Sequence, residues 1–370
     1  MVQRRGMTLM NSALKPALPD LAVARITGDP PADEAISQLS GSEIGDCFLL
    51  MKGWRGNSQA PPSGLPVPVL RLFESSGNLP AWADMRVVTR AHRLYERYAA
   101  DLLAMLFYAA LPQCYAAADG ARVLLHTRRM SDSPRARLMD TAQFVVEAMT
   151  RGGMSPEGSA ITGARKVRLL HALLRRRILD GGRWDTSASV PINQEEMAGT
   201  LLAFSYVSVA ALMKMGASVR GADRDAYIHA WNVIGCLLGI HREYLAASFE
   251  EAELLTLAIG RRQHRESEEG RVLAAALLEI ARSRFPGPLK AVPSALVRYL
   301  VAEDTADLLG VPPSGSARML VSLLRFGFWT RERITQLVPL MRIADVYNRP
   351  SFVRAVLWAE SRRLLSPGGK

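Results

Sequence analysis

From Pro80 onward the chain repeats apolar residues at spacings of three and four, the mark of helices that bury one face. The pattern predicts helices over 83–99, 100–110, 134–149, 163–179, 194–215, 223–240, 250–264, 268–284, 293–308, 315–326, 331–344 and 350–365. Upstream, DPPADEAISQL (29–39) predicts one more, with Asp and Pro at its mouth. RVLLHT (122–127) reads as a short strand, and WRGNSQAPPSGLPVP (54–68), dense in Pro, Gly and Ser, as a loop. The expected fold is therefore mainly α: a single large helical, bundle-like domain over 28–365, with its core at 80–245, a helical tail at 246–365 and a poorly ordered lead-in at 1–27.

Helix ends carry their own chemistry. Asn193 is a natural N-cap for the helix that begins at 194, and Glu195 and Glu196 then stand in its first turn, where the dipole favours acids. Gly216 closes that helix as a left-handed terminator would. Gly181 and Gly182 stop the 163–179 helix after Arg175, Arg176 and Arg177, which stand where cations suit the dipole. The run MAGTLLAFSYVSVAALM (197–213) is uncharged, yet shorter than the roughly 20 residues of a bilayer span. A helix buried inside the protein is expected there, with no transmembrane span and at most peripheral membrane contact.

Composition changes the picture in three places. Hydrophobic residues make up 49% of the 370, enough for a substantial core. The net charge of +11 raises polyanions as partners, but the arginines are spread along the chain without a zinc-finger or stacking-aromatic motif, so no nucleic acid is expected. Cys47, Cys114 and Cys236 make no disulfide framework and fit a reducing compartment. The Arg4–Arg5 pair precedes a weakly hydrophobic stretch broken by prolines and an aspartate, which argues against twin-arginine export and for a cytoplasmic protein.

The sequence has no HExxH, GxSxG, P-loop or GxGxxG motif. Its candidate chemistry lies in polar residues on apolar helix faces. His171 shares a face with Val167, Leu170, Leu174 and Ile178, and His229 shares one with Asn232, Val233 and Cys236. A histidine so placed is either a satisfied core residue or a haem ligand, because haem needs one protein donor and an apolar slot.

Four fragments in order, ARLMDTAQFVVEAM (136–149), KVRLLHALLR (166–175), VPINQEEMAGTLLAFS (190–205) and DAYIHAWNVIGCLLGI (225–240), resemble the oxygenase MpaB and latex-clearing rubber oxygenase family. GDPPAD (28–33) and LPAWAD (79–84) add to the likeness, which spans roughly 28–245. The resemblance implies a helical fold with a haem-sized pocket between central helices, one non-covalent haem b, and iron chemistry with dioxygen on a hydrophobic, isoprenoid or lipid-like substrate. It places the family's catalytic glutamate at Glu147 and its distal lysine at Lys166, while Gly163 and Val167 stand where an arginine and a threonine are expected. Its axial histidine falls at Leu202, which has no donor atom.

Other ligands to the iron are then needed: His171 first, His229 second, and Cys236 as a thiolate. Arg168 and Arg175 flank His171 and could pair with haem propionates, and Thr200, with Asn193 and Gln194, could order water or oxygen in the pocket. The leading expectation is a haem b-dependent oxygenase or oxidoreductase. The rivals are a haem-free helical protein that binds hydrophobic ligands on the same fold, and a basic binder of polyanions or membrane surfaces.

Overall fold

Asp20 starts the first helix, α1 (Leu21–Ile26), by accepting the backbone amides of Ala22 and Val23. This computed structural model describes residues 18–76, 79–126, 134–313, 315, 317–337 and 348–365. Most of the expected lead-in lies outside them, but α1 does not behave as a lead-in: Leu21 and Ala24 are buried in the main core. The backbone around it is stitched to the segment before residue 194, with Val190 and Gln194 amides donating to the Arg25 and Thr27 carbonyls.

Three helices, α2 (Pro30–Ser37), α3 (Gly41–Met51) and α4 (Val67–Ser75), build a small second core around Ile36, Met51, Trp54, Leu72 and Phe73. Ser40 and Glu43 form a reciprocal capping box at the mouth of α3. Most of the expected loop at 54–68 is irregular, with α4 beginning inside its last residues. It is anchored by Asn57, whose amide donates to the Gly153 and Ser155 carbonyls and accepts from the Ile161 and Thr162 amides.

The two helices expected over 83–110 are one continuous rod, α5 (Met85–Ala116), kinked at Tyr98 and widened by a π turn at Leu106–Ala110. Of the strand expected at 122–127, residues 122–126 are instead the end of α6 (Ala118–His126), a short apolar run that folds as helix because Ala121 and Val123 pack into the main core, and residue 127 lies outside the described residues. Next come α7 (Pro134–Met149), α8 (Ala160–Asp180), α9 (Gln194–Lys214) with a second π turn at Ala203–Val207, and α10 (Gly221–Leu237). The two π turns pack on each other, and α10 lies along α5.

The last part comprises α11 (Phe249–Gln263), α12 (Glu268–Arg282), α13 (Val292–Val301), α14 (Glu303–Leu308), α15 (Ala317–Leu337) and α16 (Pro350–Leu365). The helix expected at 293–308 breaks at Ala302, whose φ of 81° is left-handed. The two helices expected at 315–326 and 331–344 join as α15, and residues 338–344 lie outside the described set. There is no named strand among the described residues, only a single bridge between Ala117 and His264. By length and composition α5 and α9 could cross a membrane, but 50% and 67% of their apolar windows are buried within this fold.

Candidate functional site

Helix α8 is the hinge of the design because its faces meet different neighbours. Leu169, Ala172 and Leu173 sit in the small second core, while Val167, Leu170, His171 and Leu174 face a cavity. Between these faces, seven residues apart, Arg168 and Arg175 reach α2 and the turn before it. The Arg168 guanidinium grips Asp29 with two hydrogen bonds of 2.6 and 2.7 Å, both side chains buried. Arg175 donates to Asp33 at 2.7 Å and to the Ile192 carbonyl at 2.6 Å. The GDPPAD motif thus holds the α8 arginines.

That clamp also explains a glycine and a glutamine. Gly239 has φ of 89°, and a Cβ there would collide with the Asp29 carboxylate. Gln194 donates to the Gly28 and Gly239 carbonyls and accepts from the His241 amide, so it ties the two glycine turns together. Much of the arginine excess is used in the same internal way. Buried Glu195 accepts from Arg262 at 2.6 Å and pairs with Arg25, which together with Arg265 also meets Asp119.

The cavity, about 360 Å³, lies among α5, α6, α7, α8, α9 and α11, with Trp231 and Leu238 closing it from the α10 side. Its size falls in the range of roughly 300–1,000 Å³ typical of small-molecule sites. The wall is mostly apolar, and Phe204 and Trp231 meet edge to face on it at 5.6 Å. A second cavity of about 330 Å³ shares Leu111, Leu138 and Thr141 with the first, and the π turn of α5 contributes Leu106, Phe107 and Tyr108 to it.

A few polar groups interrupt the apolar wall. Burial, reinforced by Arg175 and Arg137, pushes the His171 imidazole down to about 3, so it is neutral, and its buried Nδ1 has no hydrogen-bond partner. Glu196 holds the Ile192 amide at 2.8 Å through Oε2, while its buried Oε1 has no partner. Burial and the nearby Asp119 push that carboxyl up to about 8. Gln263 Nε2 and Trp231 Nε1 are two more buried atoms of wall residues without a partner. Cys114, raised to about 12 by burial, lies within hydrogen-bonding reach of Thr200.

The residues expected from sequence divide between this cavity and other places. His171 and Thr200 line it. Lys166 and Glu147 do not: the Lys166 ammonium donates to the Trp54 carbonyl, and Glu147 accepts from Gln143 at 2.8 Å. They are close enough to each other that Glu147 partly offsets the burial that lowers the Lys166 pKa. Gly163 lies beside Phe144 and Glu147, and Val167 lines the cavity.

Arg168 and Arg175 serve the clamp and lie off the cavity wall, and Arg175 Nη2 is buried without a partner. His229 Nε2 accepts the Asp84 amide at 3.0 Å and thereby helps hold the start of α5, which occupies the lone pair a metal would need. Cys236 is absent from the cavity wall and feels Arg168 and Arg242 instead. Leu202 is buried in the core without lining the cavity. Asn193 caps α9 through the Glu196 amide at 2.9 Å.

Sequence reasoning missed Glu196, Gln263, Cys114 and His264 as wall residues. For Glu196 a signal was present. It stands four residues before Thr200, on the same face of α9, but the helix dipole already accounted for an acid in that turn.

A haem asks a fold for one donor in an apolar slot, and His171 fits that requirement: its half-buried, neutral imidazole is on the wall, and its buried Nδ1 has no partner. Among the described residues there is no cluster of three or more metal-ligating side chains. The class defined by fold and site is thus an all-helical protein with an internal, mostly apolar ligand chamber.

Three comparisons sharpen the class into a family. The model for "ER-bound oxygenase mpaB/B'/Rubber oxygenase, catalytic domain" matches residues 96–332. A rubber oxygenase from Streptomyces sp. (strain K30) is 25% identical over 293 residues, which cover 76% of this chain and 70% of that protein. The solved structure of latex clearing protein LCP in the closed state has the same fold, with a TM-score of 0.73 at 23% identity over 90% of this chain and 89% of that one. The chain belongs to the mpaB/rubber oxygenase catalytic-domain family.

Proposed function

We propose that this protein is an oxygenase that acts on a hydrophobic molecule, with haem b held through His171 and dioxygen as co-substrate. The observation that carries the reading is the unpartnered His171 Nδ1 on the wall of an apolar cavity, in a chain of an oxygenase family. Bound there, haem would supply the redox chemistry that lets dioxygen attack an otherwise unreactive carbon chain.

The protein's own contribution is positional. Leu170, Leu174, Phe204 and Trp231 exclude water and hold the apolar substrate, and the adjoining second cavity offers room for an extended chain. Desolvation keeps His171 unprotonated at neutral pH, so its lone pair is available to a metal. Glu196 retains a proton up to about pH 8 and can keep it at the cavity wall. Lys166 and Glu147 lie off the wall, with the Lys166 ammonium held by the Trp54 carbonyl.

Haemin-supplemented protein incubated with squalene under ¹⁸O₂ tests this reading. Mass spectrometry is expected to find labelled oxygenated products. Bound squalene with neither label nor dioxygen uptake would instead select the haem-free ligand-binding protein, a reading favoured by Leu202 at the family's axial position.

A further inference from the structure

Besides His171 and Trp231, two residues on the wall of the main cavity carry a buried polar atom without a partner, Glu196 at Oε1 and Gln263 at Nε2. Helix register brings the two together. Glu195 bonds Arg262 at 2.6 Å, and a Cβ on Gly199 would stand 3.1 Å from Ile259, so α9 and α11 run antiparallel with Glu196 opposite Gln263. The carboxyl is fixed in place. Its other oxygen takes the Ile192 amide at 2.8 Å, and Arg175 holds the Ile192 carbonyl from the far side at 2.6 Å.

Ile192 itself has φ of 53°, a left-handed conformation that strains a β-branched residue and persists only where the surroundings enforce it. A strained peptide clamped at both ends thus fixes a carboxyl on the wall of a chamber that is otherwise mostly apolar. Buried polar atoms are nearly always satisfied in native proteins, and exceptions point to a missing partner.

We propose that Glu196 and Gln263 form an oxygen-recognition pole, so that the natural ligand of this cavity is a largely apolar molecule bearing one hydroxyl or carbonyl group, not a plain hydrocarbon. The inference deepens the reading of the cavity as a hydrophobic-substrate site and rests on it. Gln263 Nε2 donates to the ligand oxygen. Glu196 Oε1 accepts a hydroxyl proton or, as the neutral acid, donates to a carbonyl. Sites built to hydrogen-bond a substrate oxygen reject analogues lacking it far more strongly than apolar pockets reject a change of one methylene.

The test uses the full chain and three size-matched probes, 1-octanol, 2-octanone and octane, read by displacement of N-phenyl-1-naphthylamine. Wild type is expected to bind both oxygenated probes at least about tenfold more tightly than octane. Gln263→Leu should bring the three within about threefold of one another. Glu196→Gln keeps an acceptor for the Ile192 amide and turns an amide donor toward the cavity, so it should retain the preference for 2-octanone, whereas Glu196→Leu should lose it.

Equal affinities for all three probes in wild type, or a preference unchanged in both leucine variants, would overturn the proposal and leave a pole that holds ordered water only. Haemin absorbance of the same samples separates the two readings. Protein that takes no haem yet prefers octanol loses the haem oxygenase and keeps the pole. Protein that takes haem without any preference loses the pole alone.

Discussion

The two faces of α8 treat polar groups in opposite ways. Toward α2, Arg168 and Arg175 are buried and bonded to Asp29 and Asp33. Toward the cavity, His171 lies one turn from each of them, is half-buried, and has a buried Nδ1 with no partner. A buried charge left unpaired would cost several kcal/mol, so both guanidinium groups are paired with carboxylates, although Arg175 Nη2 makes no hydrogen bond of its own. A bare neutral imidazole costs only about 1–3 kcal/mol, a penalty a fold can carry where a ligand will relieve it.

Breaking the paired face should have the largest effect. Arg168→Ala leaves Asp29 buried and alone, and urea unfolding is expected to show a loss of about 3–5 kcal/mol. A loss under about 1 kcal/mol would mean that water reaches the pair. Gly239→Ala forces a side chain into the Asp29 carboxylate at a left-handed φ, for an expected loss of about 2 kcal/mol or more by the same measurement.

The cavity groups should reveal themselves through pH. The Glu196 carboxyl, raised from 4.5 to about 8, keeps in the folded chain a proton that the unfolded chain has released. Its contribution to stability is full below pH 4.5 and is lost as pH rises through 8. Thermal melts of Glu196→Gln should therefore fall less between pH 5 and pH 8 than those of wild type. His171 has the opposite sign: lowered from 6.5 to about 3, it contributes stability above pH 6.5 that is lost as pH falls toward 3.

The smallest stability change belongs to His171→Leu, and its direction is the informative part. Replacing an unpartnered imidazole with a side chain of similar size should leave urea stability within about 1 kcal/mol or raise it slightly. A loss of 3 kcal/mol would show that the imidazole has a structural partner after all.

Which face of α8 did what was only partly legible in the sequence. Helix periodicity located the elements after Pro80 apart from α6, but not α1, α3 or α4, which are short and flanked by Pro- and Gly-rich turns; Asn193, Gly216 and the acids after Asn193 marked the ends of α9. RVLLHT misled because a short apolar run looks the same in a strand and in a buried helix, and only packing of Ala121 and Val123 decides. His171 was visible through its spacing among leucines. The roles of Arg168 and Arg175 were not, because their partners lie 139 and 142 residues away and no local pattern encodes such a pairing. Glu196 was hidden by a sufficient local explanation, and Gln263 by having no distinguishing pattern in its helix.

The central claim is that the bare nitrogen of His171 is a ligand's anchor. Haemin titration into the full chain, followed in the Soret region before and after dithionite, tests it most directly. Wild type and Cys236→Ser are expected to give the same sharp band with imidazole character, and His171→Leu, still folded, none. A band that survives unchanged in His171→Leu, or a wild-type protein that leaves haemin free, would contradict the account.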